Sequence, residues 1–121
     1  MSIKDILPNP TFHTSGSLRI ESDQDRFFGP GRLQLLEHIE QTGSINQAAK
    51  AMGMSYKKAW LMVASMNAQT TKPIVTTQTG GTQGGGAIVT EEAKAVIAYY
   101  KALRKRFEAF LQEESKKLYD Q

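Results

Sequence analysis

The stretch GSINQAAKAMGMSYKKAWLMVASMN, residues 43 to 67, constrains the fold more than any other, because it sets two helix-forming runs back to back with only Gly53-Met54-Ser55 between them. Ser44 can cap the first run: its hydroxyl can accept from an otherwise unpaired amide two or three residues on, and Gln47 stands where a capping-box partner would. The spacing predicts a helix from Ile45 to Met52. Gly53 supplies the left-handed backbone that ends a helix without a Cβ penalty. Ser55 can cap the next helix, whose Ala59, Val63 and Met66 fall at i, i+4 and i+7 and which is expected to end near Ala68.

The flanking sequence places other elements around this pair. Residues 1–15, with Pro8 and Pro10, read as an irregular arm. SLRIES alternates apolar and polar residues, Asp23-Gln24-Asp25 makes a turn and Arg26-Phe27-Phe28 follows, which predicts a small hairpin. Leu33, Leu35, Leu36 and Ile39 predict a helix that starts at Pro30, where a first-turn proline loses no hydrogen bond, and stops at Gly43. The β-branched runs Ile74 to Thr77 and Ile88 to Thr90 enclose TGGTQGGG, a pattern for two strands joined by a glycine-rich loop. Beyond Thr90 there is no Gly or Pro, and Ala93, Val96, Ile97, Tyr100, Leu103, Phe107, Phe110 and Leu111 repeat at three and four. A helix of about 28 residues would reach about 42 Å, longer than the core of a small domain. Part of its apolar stripe is therefore expected to meet another surface, a second copy of the chain being the foremost candidate. The fold class expected is mainly α with a small β wing: a winged helix-turn-helix over residues 16–90, followed by a long C-terminal dimerisation helix over residues 91–121.

Several function classes are excluded on composition. Without cysteine there is no disulfide, thiol nucleophile or cysteine-ligated zinc. His13 and His38 lie far apart with no ligand spacing, so no metal or cofactor is expected. Gly80 to Gly85 has the G-x4-G spacing, but Gly86 follows where a P-loop needs Lys, and the loop joins two strands. No nucleophile motif surrounds any Ser, so no enzyme is expected. No apolar run approaches the roughly 20 residues of a membrane span, and a soluble cytoplasmic protein is the default.

Charge adds a positive indication. The formal net charge is +3, yet residues 41–90 hold Lys50, Lys57, Lys58 and Lys72 with no Asp or Glu. A polyanion would meet no repulsion there. Two short helices joined by a glycine-containing turn match a helix-turn-helix. Ala49 is small where the helices must approach, and Met52, Ala59 and Val63 can close the core between them. Ser55, Tyr56, Lys57, Lys58 and Leu61 are then left to lie in a major groove, with lysines and hydroxyls for phosphates or base-edge acceptors and Leu61 for a thymine methyl. Trp60 and Met62 flank the buried stripe and are assigned to packing. The glycine loop reads as a wing whose amides can approach the sugar-phosphate backbone. Lys101, Arg104, Lys105 and Arg106 read as the solvated face of the dimer helix, with a further DNA contact as the alternative.

The same stretch, followed by TGGTQGGGA and the VTEEA helix start, resembles the amino-terminal DNA-binding domain of the molybdate-responsive ModE-type transcription regulators, a winged-helix group related to the LysR-type head. The resemblance covers roughly residues 16–115 and rests on the SYK-x-AW stretch, the AA-x5-S spacing and the glycine-rich loop occurring in order. It implies a homodimer that binds palindromic double-stranded DNA. Ser55, Tyr56, Lys57 and Lys58 would lie on the recognition helix, and Thr79, Gly80, Gly81, Thr82, Gly84 and Gly85 on a wing that runs to Gly86. Full-length members continue into a β-barrel module that binds molybdate, and residues 91–121 do not resemble it. The family's wing usually carries basic residues where this chain has Thr77 and Thr82, so a weaker phosphate grip is expected. Two other readings stay open. One is an oxyanion-binding protein holding molybdate or tungstate on wing amides or in a dimer groove. The other is a helical interaction module that pairs with a full-length regulator.

Overall fold

In the computed structural model, which describes residues 1–7, 11–78 and 86–119, each helix in the middle of the chain begins and ends on a residue suited to the task. Helix α1 (Pro30–Thr42) opens on its proline and closes at Gly43, whose φ of 70° is left-handed and whose amide donates to Ile39 O at 2.7 Å. Helix α2 (Ile45–Ala51) starts where the Ser44 hydroxyl accepts from the Gln47 amide at 3.1 Å. It stops one residue earlier than the spacing predicts, because the Met52 amide is shared between the carbonyls of Ala48 and Ala49 as the turn tightens. Gly53, at φ 66°, reverses the chain, and helix α3 (Tyr56–Ala68) begins where the Ser55 hydroxyl accepts from Lys58 N at 3.0 Å.

Two hairpins accompany the helices. Strands β1 (Ile20–Glu21) and β2 (Arg26–Phe28) pair antiparallel, with Ile20 opposite Phe28. Strands β3 (Val75–Gln78) and β4 (Gly86–Val89) pair with Val75 opposite Val89 and Thr77 opposite Ala87. Both are shifted by a residue or two from the β-branched runs. Ile74 gives its amide to the Asn67 side chain at 2.7 Å, and Thr90 turns out of the strand to cap the next helix, its hydroxyl accepting from Ala93 N at 3.1 Å. The Ala87 amide donates to Gly43 O at 2.9 Å, which ties β4 to the corner between α1 and α2. Helix α4 (Glu91–Lys117) then runs for 27 residues, about 40 Å.

The chain divides into two compact units. The larger, Arg19–Tyr100, holds the core, where Leu35, Leu36, Ile39, Ala48, Ala59, Met66 and Tyr100 are fully enclosed. Tyr100 meets Phe28 edge-on, with ring centroids 5.2 Å apart. No polar or charged residue is buried among the described residues, so the core is held by apolar burial, about 1.5–3 kcal/mol for each large side chain enclosed.

The smaller unit is residues 1–18 with the chain from Lys101 onward. The arm carries a 3-10 turn at Ile3–Asp5. Further along, the Thr14 hydroxyl donates to Leu111 O at 2.6 Å, and the Thr14 amide donates to the Ser115 hydroxyl at 2.8 Å. Gly16 lies so close to Phe107 that a methyl there would stand 3.0 Å from the ring. Tyr119 donates its hydroxyl hydrogen to Phe12 O. Part of the apolar stripe of α4 expected to face another molecule is thus covered by the chain's own arm, while Phe110 remains 56% exposed.

Candidate nucleic-acid interface

Helix α3 is held on three sides. Ala59, Val63 and Met66 face the core, and enclosed alanines at 48 and 49 on α2 are small enough to let the two helices approach closely. On one flank, Asn67 links the last turn to β3: its carboxamide oxygen accepts from Ile74 N at 2.7 Å and Val75 N at 3.2 Å, and its nitrogen donates to Val75 O at 3.0 Å. On the other flank, Ser65 donates to Asp25 at 2.8 Å, Gln69 donates to Arg26 O at 2.7 Å, and Ser22 donates to Gln69 at 2.6 Å. Arg32 donates to the carbonyls of Arg26 and Phe27 and braces the same hairpin, its pKa lowered by burial. The Ser65 hydroxyl, and then the Arg26 amide, hold the Asp25 carboxyl below the usual carboxylate range.

The remaining side of α3 is open. Ser55, Tyr56, Lys57, Lys58 and Leu61 are all exposed, as the sequence predicts for a face left free by the packed stripe. Ser55 has a second task, since its oxygen accepts the Lys58 amide; its hydroxyl hydrogen is still available to an acceptor. Neither Lys57 nor Lys58 has a carboxylate partner among the described residues, and both sit in the first turn, where unpaired amides and the helix dipole already favour an anion. Of the expected wing, Thr79, Gly80, Gly81, Thr82, Gly84 and Gly85 lie outside the described residues. The strands that carry the loop, β3 and β4, are in place, and Thr76, Thr77 and Gln78 are exposed on β3.

Trp60 departs from the packing role assigned to it. Its indole is 48% exposed and flanks a cleft of about 420 Å³ between α3 and β3, lined also by Val63, Asn67, Val75 and Thr77. The covered half of the ring packs there, and the indole N–H has no acceptor among the described residues. The signal is present in the spacing, because Trp60 lies one turn after the exposed Tyr56. Met62, by contrast, packs against the core as expected. Among the described residues no group of His, Cys, Asp and Glu could hold a metal ion, and no helix is long and apolar enough to cross a membrane. A bare helix start with free cations, braced from behind and flanked by a two-stranded hairpin, is suited to entering a groove lined with phosphates.

Residues 30–94 match the family described as bacterial regulatory helix-turn-helix proteins of the lysR family. Among the curated proteins similar to the chain are three regulators or transport proteins named ModE. The molybdenum transport protein ModE of Azotobacter vinelandii is 37% identical over 101 residues, covering 84% of this chain and 37% of that protein. The transcriptional regulator ModE of Haemophilus influenzae is 43% identical over 101 residues, covering 81% of this chain and 40% of that protein. The DNA-binding transcriptional dual regulator ModE of Escherichia coli K12 is 41% identical over 86 residues, covering 71% and 33%. The chain thus spans two fifths or less of the length of these relatives.

Proposed function

The chain belongs to the lysR family of bacterial regulatory helix-turn-helix proteins, and from that premise we propose that it is a DNA-binding transcription regulator acting in molybdenum-related gene control. The observation that carries this reading is the open first turn of α3, where Tyr56, Lys57 and Lys58 project without carboxylate partners among the described residues. In the proposed mode α3 enters the major groove, Lys57 and Lys58 meet phosphates or base-edge acceptors, and the β3–β4 hairpin follows the adjacent backbone as a wing. Residues 16–90 supply the DNA-reading part. Residues 91–121 pair two copies, so that the protein binds a palindromic operator as a homodimer. Support for pairing comes from Phe110 on α4 and from Ile3, Ile6 and Phe12 on the arm, large apolar side chains that the chain leaves exposed. The names of the relatives support the molybdenum connection; no molybdate site and no catalysis are proposed for this chain.

The test is duplex binding as a function of salt. Removing a cation that neutralises one phosphate should reduce the slope of log K against log salt by about 1, so the Lys57→Ala/Lys58→Ala protein should bind every duplex more weakly and with a flatter slope. A double variant with wild-type affinity and slope would remove the assignment. Sedimentation of the wild-type chain with and without a selected duplex tests the homodimer directly.

A further inference from the structure

The outward row of α3 is unusually poor in hydrogen-bonding side chains. Opposite Ala59, Val63 and Met66, helical spacing places Lys57, Leu61, Ala64 and Ala68 in one line at i, i+4, i+7 and i+11. Trp60, with Ala64 and Ala68 beside it, lines the cleft on the β3 side, and Ser65 turns the other way to Asp25. From Tyr56 to Ala64 the helix holds no Arg, Asn, Gln, Asp or Glu. The arginine fork that pairs with guanine and the carboxamides that usually select adenine are thus missing, Lys57 and its neighbour Lys58 being the strong donors. What the row does present is methyl groups. Leu61 is 52% exposed, and the alanines after it are short enough for the helix to sit close to the base edges.

We propose that α3 discriminates among base pairs chiefly by apolar contact of Leu61, seconded by Ala64, with the C5 methyl of thymine in the major groove. This rests on the DNA-binding reading above and names its specificity-determining side chain. The thymine methyl is the one apolar group that the major groove displays, and only A·T pairs carry it. Leu61, with Lys57 and Lys58 one turn before it, itself gains from that methyl and from little else. Lys57, one turn earlier, would add attraction to acceptors such as guanine O6 and N7 or a phosphate, without choosing strongly among them.

The test alters the DNA rather than the protein, so folding is not at issue. A duplex recovered by selection from random sequence is made with thymidine, and again with deoxyuridine at every thymine of the half-sites, which removes the C5 methyl and leaves the pairing edge unchanged. The wild-type chain should bind the deoxyuridine duplex about fourfold more weakly for each methyl touched, hence more than tenfold when one is touched in each half-site. For Leu61→Ala, checked for its helical circular dichroism, the ratio between the two duplexes should shrink toward one. Equal wild-type affinity for both duplexes would overturn methyl reading while leaving DNA binding intact. An undiminished ratio for Leu61→Ala would overturn the assignment to Leu61. Failure to bind or select any duplex would instead sink the DNA-binding reading, and this inference with it.

Discussion

Helices α3 and α4 spend their apolar residues in opposite ways. In the 13 residues of α3, Ala59, Val63 and Met66 are enclosed, and Ser65, Asn67 and Gln69 pin its last turn, and the residue just after it, to both hairpins. In the 27 residues of α4, only Ala93 and Tyr100 are enclosed, although its apolar repeat is the longest in the chain. The shorter helix is thus the more completely fixed, and its outer face can stay plain because nothing behind it shifts. The longer helix has a well-anchored start and then a stripe shared between its own arm and solvent. Amphipathic pattern tells how much surface a helix needs to cover, and only the fold tells what covers it.

Tyr100 is where α4 commits to the core, so the contrast is broken most severely there. Tyr100→Ala should lower unfolding free energy by about 3–5 kcal/mol in urea titration, since it empties a fully enclosed site against Phe28. Asn67→Ala, which strands the amides of Ile74 and Val75 and frees the Val75 carbonyl, should cost about 2–3 kcal/mol. Its amides in β3 should also exchange with deuterium faster than those of α1, a local effect that a generally weaker core would not give. On the far half of α4, Thr14→Val removes the hydroxyl's bonds to Leu111 O and to the Ser115 hydroxyl, keeps the amide bond to Ser115, and should cost only about 1 kcal/mol. Its hydrogen-exchange signature should be confined to the arm and residues after Lys101. A comparable loss of protection in α3 would show that the two helices are not independently held.

The smallest effect concerns pH. The Asp25 carboxyl titrates below its ordinary value, so its link to Ser65 adds stability above the usual carboxylate range and loses it as pH falls through the lowered folded-state pKa. Wild-type and Asp25→Asn proteins, compared by urea titration across acid pH, should therefore converge as pH falls. A constant gap down to the most acidic conditions would show that the carboxylate charge plays no part.

Helices α1 to α3 are legible in the sequence because every boundary carries its own local chemistry: Pro30, Gly43, Ser44, Gly53 and Ser55 each act within a few residues. The exposed row of Tyr56, Lys57 and Leu61 follows from the same periodicity. The cover over α4 is not legible, because Thr14 reaches Leu111 across 97 residues through a carbonyl that any helix presents. The role of Asn67 is hidden for a related reason, as one polar residue near a helix end matches many local roles. Trp60 is half exposed against expectation because its angular position on α3, rather than the apolar character of its ring, decides what it meets.

Thr90 joins elements that are otherwise free to vary. Its backbone amide reaches Ile74 O, its hydroxyl donates to Pro73 O at 2.8 Å, and the same oxygen starts α4. With Asn67 fastening the other side of Ile74, both legs of the β3–β4 hairpin are anchored before the connection at residues 79–85 begins. Insertions or deletions in that connection would leave the anchored ends of β3 and β4 as they are. Descendants of such a chain could therefore change loop length alone, without rebuilding the scaffold beneath it.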